Sequence, residues 1–145
     1  MIKLLSAKEL RDLDQFTIKT NKISSLDLMG IAVNSIVEWF KNKFDKTNSI
    51  VFFCGNGNNG GDGLLMGSIL NDLGYNIKMV ILENKGSNEF EFQLSKAKKR
   101  GLIISDFDLN KFKISNFHVI IDAIFGYGLN RPLEGKVLEL INYIN

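Results

Sequence analysis

Cysteine, histidine and proline are scarce in this chain, with one of each among its 145 residues. A lone cysteine, Cys54, cannot form an internal disulfide and is compatible with a reducing compartment. His118 alone cannot build a histidine-based zinc site. No apolar run approaches the ~20 residues of a membrane span, and the N-terminal segment turns polar too early for a signal peptide. We therefore expect a cytoplasmic protein.

Neither sign of charge predominates, because 18 basic and 16 acidic residues are interspersed and the net charge is +2. This balance favours neither a nucleic acid nor a membrane as partner. The densest basic segment, Lys96–Arg100, lies at the end of a predicted helix, where basic side chains complement the helix dipole. The length predicts a single domain over residues 1–145.

The order of apolar segments predicts an α/β fold. A capping box at Ser6 opens a first helix, which carries Leu10, Leu13 and Phe16 to about Lys19. A second helix follows Ser24-Ser25 and bears an apolar stripe, with Trp39 alongside. We interpret this stripe as core, and a partner-binding surface is the alternative.

Strands and helices alternate in the rest of the chain. The predicted strands are Ser49–Cys54, Ile77–Leu82, Leu102–Ile104 and Phe117–Phe125, and the predicted helices are Asp62–Leu73, Asn88–Arg100 and Glu134–Ile144. This alternation predicts a Rossmann-like three-layer sandwich with a mostly parallel sheet, preceded by two N-terminal helices.

Two glycine-rich segments follow predicted strands, Gly55–Gly63 (GNGNNGGDG) and Gly126–Pro132 (GYGLNRP). In a doubly wound sheet, ligands bind outside the carboxyl ends of the strands, where the strand order reverses. Asp122 lies near the end of the fourth strand in an otherwise apolar run. Because a buried carboxylate is costly without a partner, we expect it either to anchor a loop or to face the crevice.

The spacing of Gly55, Gly57 and Gly60 fits G-x-G-x-x-G, which is typical of an NAD(P)-binding oxidoreductase domain. Glu83, at the end of the second strand, would then bind a ribose. Asp62 argues against this interpretation, since an acid near the start of the helix would occupy the free N–H groups that hold phosphates.

The rest of the first segment favours another ligand. The amide pair Asn58-Asn59 exceeds what a tight turn needs and suggests a bound cation or polar group, whereas some of the glycines are explained by positive φ alone. No G-K-[ST] follows, which excludes a P-loop. Cys54 is interpreted as a packing residue rather than a nucleophile, and His118 as structural rather than a catalytic base.

The two segments together strongly resemble the NAD(P)H-hydrate epimerase family, the YjeF N-terminal type of domain. The likeness is carried by N-N-G-G-D-G from Asn58, by D-A-I-F-G from Asp122 and by G-L-N-R-P-L-E-G from Gly128. The opening helices are similar too, so the resemblance runs from the first helix to about Gly135. It implies an enzyme that interconverts the R and S forms of NADH or NADPH hydrated at C6 of the nicotinamide ring.

The resemblance also implies site residues, a cofactor and partners. Asn59 and Asp122 would bind a potassium ion, and Asp122 would be the catalytic acid/base group at the C6 hydroxyl. A dehydratase acting on the S form would be the functional partner, and a homodimer is a possible assembly. The implied substrate-binding residues are Asn58, Asn59, Gly60, Gly61, Asp62, Gly126, Tyr127, Gly128, Leu129, Asn130, Arg131 and Pro132.

Two departures from the family pattern leave another function open. Gly30 stands where the family generally has a glutamate. The family usually continues into a further strand and a loop with aspartate, proline, serine and glycine, and the chain ends at Asn145 before such a strand. We therefore expect either a fragment or an incomplete site, and a non-catalytic binding module is the third interpretation.

Overall fold

The computed structural model describes residues 4–129 and 132–145. The helices are α1 (Ala7–Asn21), α2 (Ser25–Lys41), α3 (Asn58–Asp72), α4 (Asn88–Lys99) and α5 (Gly135–Ile144), with a short 3-10 turn at Ile114–Asn116. The strands are β1 (Ser49–Cys54), β2 (Asn76–Ile81), β3 (Ile104–Asp106) and β4 (Val119–Ala123). The predicted α/β fold with two N-terminal helices is confirmed.

The four strands form one parallel sheet in the order β3-β2-β1-β4. The chain passes from β1 outward to β2 and β3 and then returns to the other side of β1 as β4. The strand order therefore reverses between β1 and β4, and a ligand crevice is expected outside the carboxyl ends of these two strands.

Strand β1 is buried on both faces of the sheet, as its continuous apolar sequence predicts. Its alternate residues enter two separate cores. Phe52 and its neighbours pack beneath α2, α3 and α4, while Val51 and Phe53 pack with Phe107, Phe112 and Leu140 on the side of α5. The sheet thus lies between two helical layers, which confirms the predicted three-layer sandwich.

The boundary of α3 differs from the prediction. The helix begins at Asn58 rather than Asp62, with Gly57 as its N-cap. The two asparagines and two glycines of the motif therefore form the first turn of a helix instead of a loop. Tertiary packing outweighs the low helix propensity of this stretch, because Gly60 and Gly61 are both buried.

Strand β3 also differs, since it covers Ile104–Asp106 rather than Leu102–Ile104. The glycine after α4 explains the shift. Gly101 has φ 75°, and the next residue, Leu102, donates its N–H to Ala97 O and buries its side chain against the end of the helix. Leu102 thus closes α4 instead of opening the strand.

The two N-terminal helices are attached differently. The stripe of α2 is mostly core, because Met29, Val33, Val37 and Phe40 are buried, whereas Ile36 is 47% exposed and Trp39 beside the stripe is 55% exposed. Helix α1 has no buried residue. Within the described ranges no single helix has the length and apolarity to cross a membrane; α1 and α2 meet those two criteria only as a pair, bent by 109°.

Candidate functional site

A cleft of about 850 Å³ lies at the point where the strand order reverses. The loop that follows β1 and the loop that follows β4 both line it, together with α1, α2 and the start of α3. The two glycine-rich segments of the sequence therefore meet at one site, as predicted from the parallel order of their strands.

The glycines after β1 allow close packing of backbone on backbone. A Cβ on Gly55 would overlap the carbonyl of Ile124, and one on Gly60 would overlap the carbonyl of Gly55. Neither residue has positive φ, so the explanation of these glycines by a left-handed turn is wrong. Their lack of side chains brings the start of α3 directly against the ends of β1 and β4, which places the motif at the cleft.

Asn56 joins the loop after β1 to the loop after β2. Its side-chain amide donates to Glu83 Oε2 at 3.0 Å, and its backbone carbonyl accepts the N–H of Ser87 at 2.9 Å. Glu83 lines a second, smaller cavity of about 400 Å³ rather than the main cleft. The carboxylate that the oxidoreductase interpretation assigned to a ribose therefore holds a loop amide.

Asn58 and Asn59 occupy the first turn of α3 and line the cleft. Asn59 lies against the β4 loop, since a Cβ on Gly126 would be 3.4 Å from Asn59 Cβ. No side chain caps the start of this helix. The expectation that Asp62 occupies these N–H groups is therefore wrong, because Asp62 lies one turn further along α3.

Asp62 lines the cleft as a partly buried carboxyl group. Burial, and secondarily the negative charge of Asp14, raise its pKa to about 6. Near neutral pH such a group exists in both protonation states, so it can donate a proton to a ligand and accept one. A carboxyl group with this property inside a cleft is a mark of a functional site.

Helix α1 contributes side chains that the sequence patterns did not identify. Arg11, Asp14, Gln15 and Ile18 line the cleft from one face of this helix. The phenol of Tyr127 donates to Asp14 Oδ2 at 2.6 Å, and the guanidinium carbon of Arg11 lies 5.8 Å from the centre of the Tyr127 ring. The signal for them in the sequence was their spacing along one helical face. The sequence analysis considered only the apolar residues of α1.

The N-termini of α2 and α4 also reach the cleft and were likewise missed. Ser25 donates its hydroxyl to Glu89 Oε1 at 2.6 Å, and both residues line the cleft. Among the described residues, the cleft thus holds three carboxyl groups and one guanidinium. Gly30 lies next to the cleft residue Met29, and a Cβ added to Gly30 would meet no atom within 4 Å, so the backbone of α2 has room for a side chain there.

Asp122 lies at the end of β4 but is not among the residues that line the cleft. Its side chain is exposed, and Oδ1 accepts the N–H of Ile124 at 2.9 Å. The predicted loop-anchoring contact is therefore present. Its catalytic and potassium-binding roles stay predictions.

The remaining predicted substrate residues divide between several places. Gly126, Tyr127, Gly128 and Leu129 line the main cleft, and Pro132 lines the second cavity. Gly60 and Gly61 are buried beneath the cleft surface. Asn130 and Arg131, also predicted to bind substrate, lie outside the described residues.

Cys54 and His118 are structural. Cys54 is fully buried, and burial raises the pKa of its thiol to about 12, which disfavours the nucleophilic thiolate. His118 lies just before β4, where its Nδ1 accepts the N–H of Ser49 at 3.1 Å, at the end of the sheet opposite the cleft. Among residues 4–129 and 132–145, no three His, Cys, Asp or Glu side chains form a metal-binding group.

Comparisons with known proteins agree with these motifs. The model of the family described as YjeF-related protein N-terminus matches residues 25–145. The NAD(P)H-hydrate epimerase of Weissella koreensis is 34% identical over the whole chain, and the chain spans 65% of that relative. The bifunctional NAD(P)H-hydrate repair enzyme Nnr of Thermofilum pendens is 30% identical over 97% of the chain, which covers 29% of that protein.

A solved structure has the same fold. The crystal structure of yeast ynu0, YNL200c, superposes with a TM-score of 0.78 over 99% of this chain and 65% of the yeast chain, at 20% sequence identity. The family match covers α2 to α5, including both glycine-rich segments and the cleft between them. The chain therefore belongs to the family of YjeF-related protein N-terminal domains.

Proposed function

We propose that this chain is the epimerase domain for NADH and NADPH hydrates, interconverting the R and S forms at C6 of the nicotinamide ring. The observation that carries the proposal is the convergence of N-N-G-G-D-G and the β4 loop on one cleft at the switch point of the sheet. The names of the Weissella and Thermofilum relatives support it. The chain covers only part of each relative, so the activity itself is a proposal.

The groups in the cleft suit a reaction at a hydroxyl-bearing carbon. Epimerisation at C6 requires the hydroxyl to leave and return on the other face, and therefore requires a proton donor and acceptor nearby. Asp62 lines the cleft, and its pKa, raised to about 6, suits proton transfer. Asp122, the acid/base group implied by the resemblance, lies at the end of β4 outside the residues that line the cleft. The amides of Asn58 and Asn59 are available for neutral polar groups of the substrate.

Potassium is part of the proposal. Asn59 in the first turn of α3 and Asp122 at the end of β4 both offer oxygen donors, which are the ligand type that a hard cation prefers. These two residues would hold the ion, which would supply positive charge near the departing hydroxyl oxygen. Asp122 would also exchange the proton at the C6 hydroxyl, and the amide of Asn59 would contact the substrate.

The family assignment does not by itself identify a partner or an assembly for this chain. A dehydratase for the S form is proposed as the functional partner, and the name of the bifunctional Thermofilum relative supports a link between repair activities. A homodimer and a cytoplasmic location stay predictions. No observation favours the oxidoreductase alternative, because Glu83 is bound to Asn56 and lines a different cavity.

Conversion of purified R-hydrate tests the proposal, measured by coupling to an S-specific dehydratase with and without potassium. We expect turnover that potassium stimulates, and a loss of about 100-fold or more in Asn59→Ala or Asp122→Asn, typical of removing a group essential to proton transfer or charge stabilisation. Asn71→Ala is the matched control, because Asn71 lies near the other end of α3 and outside the cleft.

The outcomes separate the parts of the proposal. Absence of conversion by the wild-type chain at every potassium concentration contradicts the epimerase function. Full turnover in Asp122→Asn contradicts the role of Asp122 as the acid/base group. Turnover that is independent of potassium contradicts the cofactor.

A further inference from the structure

Helix α1 contacts the β4 loop across one side of the cleft through charged and aromatic groups. Tyr127 donates its phenol hydrogen to Asp14 at 2.6 Å, and Arg11 lies 5.8 Å from the centre of the same ring. All three residues line the cleft. Arg11 and Asp14 belong to neither of the glycine-rich segments, so no motif assigns them a role.

The position of Asp14 costs folding free energy, because it brings carboxyl groups together in one cleft. The carboxylate of Asp14 shares the cleft with Asp62, and its charge adds to burial in raising the pKa of Asp62. Glu89, from α4, is a third carboxylate on the cleft, and Arg11 is the cation among these lining residues. Placing like charges in one cleft destabilises a fold, and such arrangements concentrate at functional sites.

Apolar packing accounts for only part of the position of α1. The helix has no fully buried residue, its Leu10 and Ile18 are half-buried, and its Leu13 and Phe16 side chains are 49% and 65% exposed. A hydrogen bond with a carboxylate acceptor is about twice as strong as one between neutral groups. The Asp14–Tyr127 contact is therefore one of the contacts that set the relative placement of α1 and the β4 loop.

We propose that Asp14 is a positioning residue of the substrate site, which holds the ring of Tyr127 in the cleft as the surface against which the hydrated nicotinamide ring packs. The inference rests on the proposed function and extends the site to a helix outside the two glycine-rich segments. An aromatic ring offers a broad apolar face to another ring, and its orientation decides whether that face is presented. Asp14 fixes the orientation through the phenol hydroxyl, while Arg11 lies over the ring.

The positioning contact can be measured without any catalytic assay. The hydrogen bond to Asp14, followed by burial and the charge of Asp14, raises the pKa of Tyr127. In ultraviolet titrations near 295 nm, we therefore expect Asp14→Ala to lower the pKa of one of the three tyrosines. Tyr127→Phe removes that same titration. Asp12→Asn is the control, because Asp12 is an exposed acid on the same helix and does not line the cleft.

Kinetics with the R-hydrate test the positioning role. We expect Asp14→Ala and Tyr127→Phe each to raise KM by about tenfold with a smaller change in kcat, since the loss of one charge-assisted hydrogen bond is involved. The double variant is expected to match the single variants, because both remove the same contact. Asp14→Asn is expected to keep most of the affinity, since its amide oxygen still accepts from the phenol.

The results test two statements separately: that Asp14 contacts Tyr127, and that this contact positions Tyr127 for the substrate. Additive effects in the double variant, or an unchanged tyrosine titration in a folded Asp14→Ala protein, overturn the contact. An unchanged KM in Asp14→Ala overturns the positioning role while the epimerase function stands. If the wild-type chain neither binds nor converts the hydrate, the proposed function fails, and the substrate role of Asp14 fails with it even when the titration detects the contact.

Discussion

Helices α1 and α3 each supply three polar side chains to the cleft, but they are held in the molecule by different means. Helix α3 has eight buried residues among its fifteen and lies against the sheet. Helix α1 also has fifteen residues and none of them is buried. One wall of the cleft is therefore part of the core, whereas the other lies at the surface, where the polar contacts of Arg11 and Asp14 with Tyr127 join it to the β4 loop.

This difference implies that substitutions on the two helices are detected by different measurements. On α3, a change of side-chain size disturbs packing that also supports β1 and β2, so unfolding experiments register it. On α1, comparable changes leave the core intact, and ligand binding is the sensitive observable. We expect three effects of decreasing size from this contrast.

The largest effect is expected at the start of α3, from Gly60→Ala. The added Cβ would overlap the carbonyl of Gly55, a backbone atom that cannot move aside without shifting the end of β1. We expect a loss of at least about 3 kcal/mol in the free energy of unfolding. Urea denaturation followed by circular dichroism measures it.

Gly57→Ala is the matched control for Gly60→Ala. A Cβ at Gly57 meets no atom within 4 Å, and its φ of −95° is accessible to any residue. We expect a loss below about 1 kcal/mol, since alanine is only a poorer N-cap than glycine. Equal losses in the two variants would refute the backbone-packing explanation.

The next effect compares one leucine from each helix. Leu70 on α3 is fully buried, and Leu70→Ala is expected to lower the free energy of unfolding by about 3 kcal/mol through lost burial and a cavity. Leu13 on α1 is 49% exposed, and Leu13→Ala is expected to cost less than about 0.5 kcal/mol. A large loss in Leu13→Ala would mean that α1 is attached by apolar packing after all.

The contrast between the helices also explains how far the sequence could predict the site. The meeting of the two glycine-rich segments was predictable, because the carboxyl ends of parallel strands lie at one edge and the strand order must reverse beside β1. The start of α3 was not, because residues of low helix propensity become helical there when Gly60 and Gly61 pack against the rest of the fold.

The contact of Arg11 and Asp14 with Tyr127 was beyond prediction for a related reason. Their role depends on where α1 lies relative to Tyr127, which is 113 residues away from Asp14 along the chain. Periodicity identifies the faces of a helix but not the neighbours of a polar face. Asp122 illustrates the opposite case, since both its place near the end of the strand and a loop-anchoring contact were among the expectations, and the fold identifies the N–H of Ile124 as the donor.

The smallest of the three effects depends on pH and concerns Asp62. Its folded-state pKa of about 6 lies above the ordinary aspartate value of 3.8, so the folded chain binds more protons than the unfolded chain between these values. Stability from this group is therefore fully present below pH ~4 and is lost as pH rises through ~6. With allowance for partial exposure, the loss is about 2 kcal/mol.

Asp62→Asn removes this ionisation and should therefore be more stable than the wild type at pH 8 by about 2 kcal/mol, and nearly equal to it at pH 4. Urea denaturation at the two pH values measures the difference. Asp72→Asn, at the exposed end of the same helix, serves as the control and should show no comparable gain at pH 8. If Asp62→Asn is no more stable than the wild type at pH 8, then burial and the charge of Asp14 do not raise the pKa of Asp62 in the folded chain.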